Sequence, residues 1–280
     1  MHVVETINGG ISFRKKCSGS VGFVPTMGAL HAGHLELVKR SLKTCKTTIV
    51  SIFVNPKQFA VSEDLNSYPN NLNEDLALLK RMHVDCVFMP NKTEMYSENH
   101  SVELVENKLS KVLEGNSRPL FFSGVLTIVS KLFNIFIPTD VFFGQKDAQQ
   151  LIIVKKLIRD MNYNIRCHSV PTVRDKSGLA LSSRNEYLDD MGLQTASNIY
   201  KSLCLVKTKL DRGEKNVSVL KKFFNDYIEQ CDSLVIDYFS IADAETLQEI
   251  STSIKKKVLI STAVIVNDKV RLIDNIEYSM

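Results

Sequence analysis

Gly22–Phe23–Val24–Pro25–Thr26–Met27–Gly28–Ala29–Leu30–His31–Ala32–Gly33–His34 runs from an apolar segment through a glycine-punctuated turn to two histidines. Leu35, Val38, Leu42 and Cys45 then recur at helical spacing, so the histidines open an amphipathic helix. The first turn of a helix leaves main-chain N–H groups without intrahelical partners, and the helix dipole favours negative charge there. Strand, turn and helix N-terminus in that order read as an anion site suited to the phosphates of a nucleotide. Gly28 and Gly33 let the backbone approach a ligand with no Cβ in the way. The histidines alone also fit a surface pair, a satisfied core pair or two metal ligands. The metal reading requires a third ligand, and no Cys or carboxylate cluster at ligand spacing follows nearby.

Working outward, strand-like runs at 21–25, 48–54, 85–89, 141–143 and 164–170 alternate with helix-period segments at 33–45, 72–83, 124–136 and 149–161. That alternation predicts an α/β fold, a doubly wound parallel sheet with helices on both faces. Such sheets bind ligands beyond the carboxyl ends of their strands. The chemically rich loops 25–34, 55–59 and 144–150 each follow a candidate strand. The pattern changes after about Val173. A long helix over 190–211, stopped by Arg212–Gly213, precedes a second helix reaching about residue 230. β-Branched runs follow at 234–241, 258–266 and 269–273, with Asn267–Asp268 as a hairpin turn. These features predict a smaller α+β domain with an antiparallel sheet. The expected domains are 1–172 and 173–280.

The 280-residue chain is 44% hydrophobic and 24% charged, ordinary values for a globular protein. A net charge of +4 fits a small anionic substrate and lacks the concentrated basic face of a nucleic-acid binder. The one tight basic run, Lys255–Lys256–Lys257, reads as a solvated strand end. Cysteines at 17, 45, 86, 167, 204 and 231 form no Cys-x-x-Cys pair, which predicts free thiols in a reducing compartment. The longest apolar stretch, 125–143, is broken by Lys131, Asn134, Pro138 and Asp140, so no membrane span is expected. The expectation is a cytoplasmic protein with neither nucleic-acid nor membrane partners.

Two later segments add polar chemistry. Gly144–Gln145–Lys146–Asp147 follows an apolar run and opens a helix, so Lys146 can reach a β- or γ-phosphate and Asp147 can bind ribose hydroxyls. A surface turn with Asp147 as helix cap is the alternative. Leu181–Ser182–Ser183–Arg184–Asn185 sets two hydroxyls beside a guanidinium, a combination able to clamp a triphosphate. A solvated turn is the alternative there.

The run Pro25–Thr26–Met27–Gly28–Ala29–Leu30–His31–Ala32–Gly33–His34 resembles the signature of the pantoate–β-alanine ligase family, within the His-x-Gly-His nucleotidyltransferases. Further segments resemble the same family in order and spacing across nearly the whole chain. The resemblance implies a Rossmann-like nucleotide- and pantoate-binding catalytic domain followed by a C-terminal lid domain. It also implies ATP-dependent condensation of pantoate with β-alanine through a pantoyl adenylate, releasing pyrophosphate and AMP. The nucleotide residues it implies are Met27, Gly28, Ala29, Leu30, His31, Ala32, Gly33 and His34. With them go Gly144, Gln145, Lys146, Asp147, Val173 against adenine, Leu181, Ser182, Ser183 and Arg184. His34, His31, Lys146 and Arg184 carry the catalytic roles. His34 matches the position usually named a proton donor, yet carboxylate attack has no obligatory proton to move, so electrostatic stabilisation is the preferred role. Gln58 and Gln150 suit the hydroxyls and carboxylate of pantoate, Met27 and Phe59 its methyl groups, and Gln58 also β-alanine. Mg²⁺ is expected on the nucleotide's own oxygens, and a homodimer is implied.

Four positions depart from the family pattern. Leu120 and Phe121 stand where Gly and His are usual, in Arg118–Pro119–Leu120–Phe121–Phe122, and Asn70 replaces an arginine in Tyr68–Pro69–Asn70. Gln145 replaces an acid, while Glu74 and Asp75 keep the acidic pair that follows. Two rival readings are a nucleotidyltransferase with another acceptor, opposed by the Gln58 and Gln150 motifs, and a nucleotide binder weakened by these departures.

Overall fold

The computed structural model describes residues 1–60 and 63–279; Val61, Ser62 and Met280, the last ending the expected second domain, lie outside the described residues. The chain forms two units, Met1–Gln145 with Gln150–Pro171, and Lys146–Gln149 with Thr172–Met280.

The first unit carries β1 (His2–Val4), β2 (Val21–Thr26), β3 (Thr47–Ile52), β4 (Cys86–Phe88), β5 (Asp140–Gly144) and β6 (Arg166–Val170). Its helices in chain order are α1 (Ile7–Lys16), α2 (Ala32–Thr44), α3 (Leu72–Arg81), α4 (Lys92–Met95), α5 (Glu114–Ser117) and α6 (Phe121–Phe136). α7 (Ala148–Asp160) then leads towards β6. The strand order is β1-β4-β3-β2-β5-β6, and all five pairings are parallel. From β2 the chain builds outward through β3 and β4, then returns to lay β5 on the other side of β2. β2 therefore borders the topological switch point, where ligands of doubly wound sheets bind.

Successive residues of a strand face opposite sides, and both sides here are apolar. Val24, Val50, Val87 and Phe142 pack with Leu37, Val38 and Leu79 of α2 and α3. On the other side Phe23 stacks on Phe136 of α6 at 5.3 Å, and Phe88 meets Phe136 edge-on at 5.1 Å. α6 is buried along most of its length, which explains its near-continuous apolar sequence.

In the second unit α8 (Asp190–Asp211) and α9 (Val217–Ile228) pack on an antiparallel sheet of β7 (Leu234–Asp243), β8 (Val258–Val266) and β9 (Val270–Tyr278). Ile199, Leu203 and Val206 of α8 and Leu220, Phe224 and Ile228 of α9 close over Ile241, Ile260 and Val264. Asn267 and Asp268 turn the β8–β9 hairpin with φ of 53° and 52°, the left-handed pair that a type I′ turn requires.

The expected α/β and α+β architectures are both present. β9 runs five residues past the expected end at 273, because Asp274 and Asn275 interrupt its apolar run. β1 and α1 were not expected. β1 is only three residues long, and two glycines dilute the helical pattern of α1. All six cysteines are free thiols. Among the described residues no helix is long and apolar enough to cross a membrane.

Candidate active site

β2 ends at Thr26, whose hydroxyl donates to the Ser51 carbonyl at 2.7 Å and accepts the Gly28 N–H at 3.3 Å. The chain then passes through Gly28 and Ala29 with φ of +90° and +49°. His31 is the N-cap of α2: its Nδ1 accepts the Gly33 N–H at 3.1 Å. His34 reaches back, its Nδ1 accepting the His31 N–H at 3.4 Å. This is a capping box built from two imidazoles in place of the usual Ser/Thr and Glu/Gln. A main-chain N–H only donates, so each Nδ1 carries a lone pair and each neutral ring holds its proton on Nε2. The rings lie 4.1 Å apart, half-buried, as a pair of N–H donors at a helix N-terminus. Among the described residues no group of three or more His, Cys, Asp or Glu could hold a metal, so the metal-ligand alternative has no third partner.

The neighbouring strand β3 leads into a 3-10 turn, Pro56–Gln58, capped by Asn55. Asn55 is 1% exposed. Its Oδ1 accepts the Tyr96 hydroxyl at 2.8 Å and the Lys57 N–H at 3.3 Å. Its Nδ2 donates to the Gly124 carbonyl at 3.1 Å and to Gln58 Oε1 at 2.8 Å. The main-chain partners fix which end of the Asn55 amide is oxygen. That in turn fixes Gln58, whose Oε1 is engaged and whose Nε2 is left as the donor end. Burial raises the Tyr96 hydroxyl above its ordinary pKa, keeping it a proton donor to Asn55. A Cβ on Gly124 would lie 2.1 Å from the Lys57 carbonyl oxygen, so only glycine lets α6 approach this turn.

Arg118 donates to the Gln58 carbonyl at 2.9 Å and, through Nε and Nη2, to both Glu63 oxygens at 2.6 Å. The Phe121 ring lies 3.9 Å from the Arg118 guanidinium. Phe121 thus covers an ion-paired arginine, whereas Leu120 is 77% exposed and seals nothing. Met27 and Phe59 are half-buried, and Phe59 packs edge-on to Tyr68 at 5.7 Å. The 27–34 and 55–59 segments leave the carboxyl ends of the adjacent strands β2 and β3. Gly144 ends β5, the other neighbour of β2, and Gln150 sits half-buried in the first turn of α7.

In the second unit Lys146 and Asp147 belong to the 3-10 turn Gln145–Asp147, with Lys146 Nζ 3.6 Å from Asp147 Oδ1. The Lys146 carbonyl accepts from Asn275 Nδ2 at 2.8 Å. Val173 and Leu181 are paired, the Leu181 N–H donating to the Val173 carbonyl at 3.0 Å. Arg174 holds that loop: it donates to both Asp274 oxygens at 2.6 and 2.8 Å and to the Gly178 carbonyl at 3.1 Å, stacked 3.4 Å from the Tyr200 ring centre. Ser182 caps the 3-10 turn Ser183–Tyr187 by accepting the Arg184 N–H at 3.3 Å. The lysine turn and the Arg174 segment that leads into the serine–arginine loop are thus both fastened to β9, through Asn275 and Asp274.

Sequence reasoning did not single out Asn55, Tyr96, Arg174, Asp274 or Asn275. The only signal was a polar pair, Asp274–Asn275, inside a β-branched strand, where a polar side chain needs a partner to be buried.

A family model described as pantoate-beta-alanine ligase matches residues 2–277. The chain is 47% identical over 256 residues to the pantothenate synthetase of Thermosipho africanus, covering 91% of each chain. A crystal structure of pantothenate synthetase from Thermus thermophilus superposes with a TM-score of 0.92 at 37% identity, over 99% of both chains. That of pantoate-beta-alanine ligase from Francisella tularensis, complexed with beta-gamma ATP and beta-alanine, gives 0.80 at 33% identity over 99% of this chain and 97% of that one.

Proposed function

The chain belongs to the pantoate-beta-alanine ligase family, and on that premise we propose that it condenses pantoate with β-alanine, driven by ATP cleavage through a pantoyl adenylate. A pantoate carboxylate oxygen attacks the α-phosphorus; the new P–O bond forms as the bond to the β-phosphate breaks and pyrophosphate leaves. The amine of β-alanine then attacks the acyl carbon, loses a proton and displaces AMP, leaving an amide. Neither step needs a protein nucleophile. Alignment and stabilisation of developing charge do the catalysis.

The observation that carries this reading is the two-histidine capping box beside the switch point. It supplies two Nε2–H donors, first-turn N–H groups and a helix dipole, all favouring phosphate. We assign His31 and His34 to α-phosphate charge, with His34 as a donor of hydrogen bonds rather than of a proton. Lys146 and Arg184, with Ser182 and Ser183, are assigned to the remaining phosphates, Asp147 to ribose, and Val173 to adenine. Gly144, Gln145 and Leu181 supply main chain to the nucleotide. Gln58 and Gln150 hold the polar groups of pantoate, Met27 and Phe59 its methyls, and Gln58 also meets β-alanine. Among the described residues no carboxylate cluster is built to hold a metal, so Mg²⁺ would ride on the triphosphate oxygens. A cytoplasmic homodimer, with 1–172 as catalytic domain and 173–280 as lid, completes the proposal.

The test is pyrophosphate release measured with pantoate, with and without β-alanine. Pantoate-dependent release, followed by pantothenate formation only when β-alanine is present, is the expected result. ATP cleavage indifferent to pantoate would point to another acceptor, and ATP binding without cleavage to a binder alone.

A further inference from the structure

Asp75 stands in the first turn of α3, and its side chain is 1% exposed. Its Oδ1 accepts the Leu30 N–H at 2.7 Å, and the Ala29 N–H faces the same carboxylate. Oδ2 has no hydrogen-bond partner and lies 3.2 Å from where a Cβ on Gly28 would be. Burial raises the Asp75 pKa, the facing Leu30 and Ala29 N–H groups oppose that shift, and the neighbouring Glu74 adds to it. A buried carboxylate without a cation is an expensive group to keep, and an apolar side chain of similar size would pack there more favourably.

What the carboxylate does is hold the Leu30 N–H, with that of Ala29 facing it, at the exit of a left-handed turn. Gly28 tolerates φ of +90°, but Ala29 at +49° occupies a region that L-residues avoid. Such a conformation persists only where its surroundings over-determine it. Leu30 leads directly into His31, so the direction in which the chain meets α2 depends on this clamp.

We propose that Asp75 is a positioning residue: its buried carboxylate fixes the Gly28–Ala29–Leu30 turn and so presets the His31–His34 pair for the nucleotide. The inference rests on the nucleotide reading of that turn. It makes the acceptor oxygen the essential feature and the negative charge dispensable, since an amide oxygen can take the same Leu30 N–H bond.

Calorimetric binding of a non-hydrolysable ATP analogue separates the possibilities, with the thermal midpoint of each variant as the structural control. Asp75→Asn is expected to bind within about threefold of the native chain. Asp75→Leu is expected to bind on the order of tenfold or more weakly, the loss of a hydrogen bond to a charged acceptor. Its midpoint should be unchanged or higher, because a buried unpaired charge has gone. Adding Ala29→Gly to Asp75→Leu is expected to recover part of the affinity by relieving the left-handed strain, an effect that a merely structural role would not produce. Should Asp75→Leu not fold, Ala29→Val in the native background strains the same turn without touching α3 and is expected to weaken the analogue comparably. Asp75→Asn losing as much affinity as Asp75→Leu would overturn the inference. So would native affinity in Asp75→Leu, or in Ala29→Val. A native chain that fails to bind the analogue would instead remove the nucleotide reading itself.

Discussion

A histidine that caps a helix through Nδ1 is committed to one tautomer, and this protein commits two of them side by side. His34→Ala removes a cap and, on the function proposed above, a donor to developing phosphate charge. Pyrophosphate release should fall on the order of a hundredfold or more, for about 3–4 kcal/mol of transition-state stabilisation. His34→Gln separates the two roles, because Gln at that helix position can still reach back to the N-cap N–H. It should keep the native urea midpoint and remain as slow as His34→Ala; native turnover would remove His34 from the machinery. Tyr96 acts one residue further out. Tyr96→Phe takes the hydroxyl from Asn55 and loosens the amide orientation passed to Gln58. An unsatisfied buried polar group costs about 1–3 kcal/mol, so the KM for pantoate should rise about tenfold while that for ATP stays put. Equal changes in both constants would show a general defect. The His-x-Gly-His turn and Gln58 were legible because motif and chemistry lie within a few consecutive residues. The roles of Asp75, Asn55 and Tyr96 were not, although Asp75 stood out as half of an acidic pair, because each acts across 41 or 45 residues of chain, and a hydrogen bond of that range leaves no periodic trace.

Among the elements, the parallel sheet is cross-tied at the amino end of β5. Asp140 is buried and accepts from Arg166 at 2.9 and 3.1 Å, from Thr139 at 2.7 Å, and lies 2.7 Å from His168 Nε2. Burial opposes the charge, but the Arg166, His168 and Thr139 bonds outweigh it and hold the Asp140 carboxyl well below its ordinary range. An unfolded Asp titrates near about 3.9. The folded state thus keeps a carboxylate that the unfolded chain protonates more readily, and stability is contributed in full above that value. It is lost as pH falls through the unfolded value towards the lower folded one. Asp140→Asn should be less stable than the native chain at pH 7, with the gap in urea midpoint closing on acidification below about pH 4. A gap independent of pH would mean that packing, not charge, is responsible. Most elements were legible from periodicity, and α8 and β8 match their expected spans residue for residue. β9 was cut short in the reading because Asp274 and Asn275 are buried for their partners, Arg174 and the Lys146 carbonyl, and periodicity registers apolar faces only.

For the molecule as a whole, chain order predicted the alternation of strands and helices, while the lateral order β1-β4-β3-β2-β5-β6 came only with the structure. Periodicity reports which face of a strand is buried and carries no information about its neighbour. The thiols report on the packing of the first unit. Burial pushes Cys45 and Cys86 up to about 12 and Cys167 to about 11, so little thiolate forms at neutral pH. In the native protein these three should react slowly with a disulfide reagent, and all six should react at once in denaturant. Fast reaction of Cys86 in the native state would contradict the packing of β4. The two-histidine cap sets a limit on the whole centre. Both Nδ1 lone pairs are spent on main-chain N–H groups, so a proton added there gives the site a positive charge and in the same act unfastens the start of α2. For the phosphate role proposed for it, each imidazole can keep its cap or gain a charge, not both.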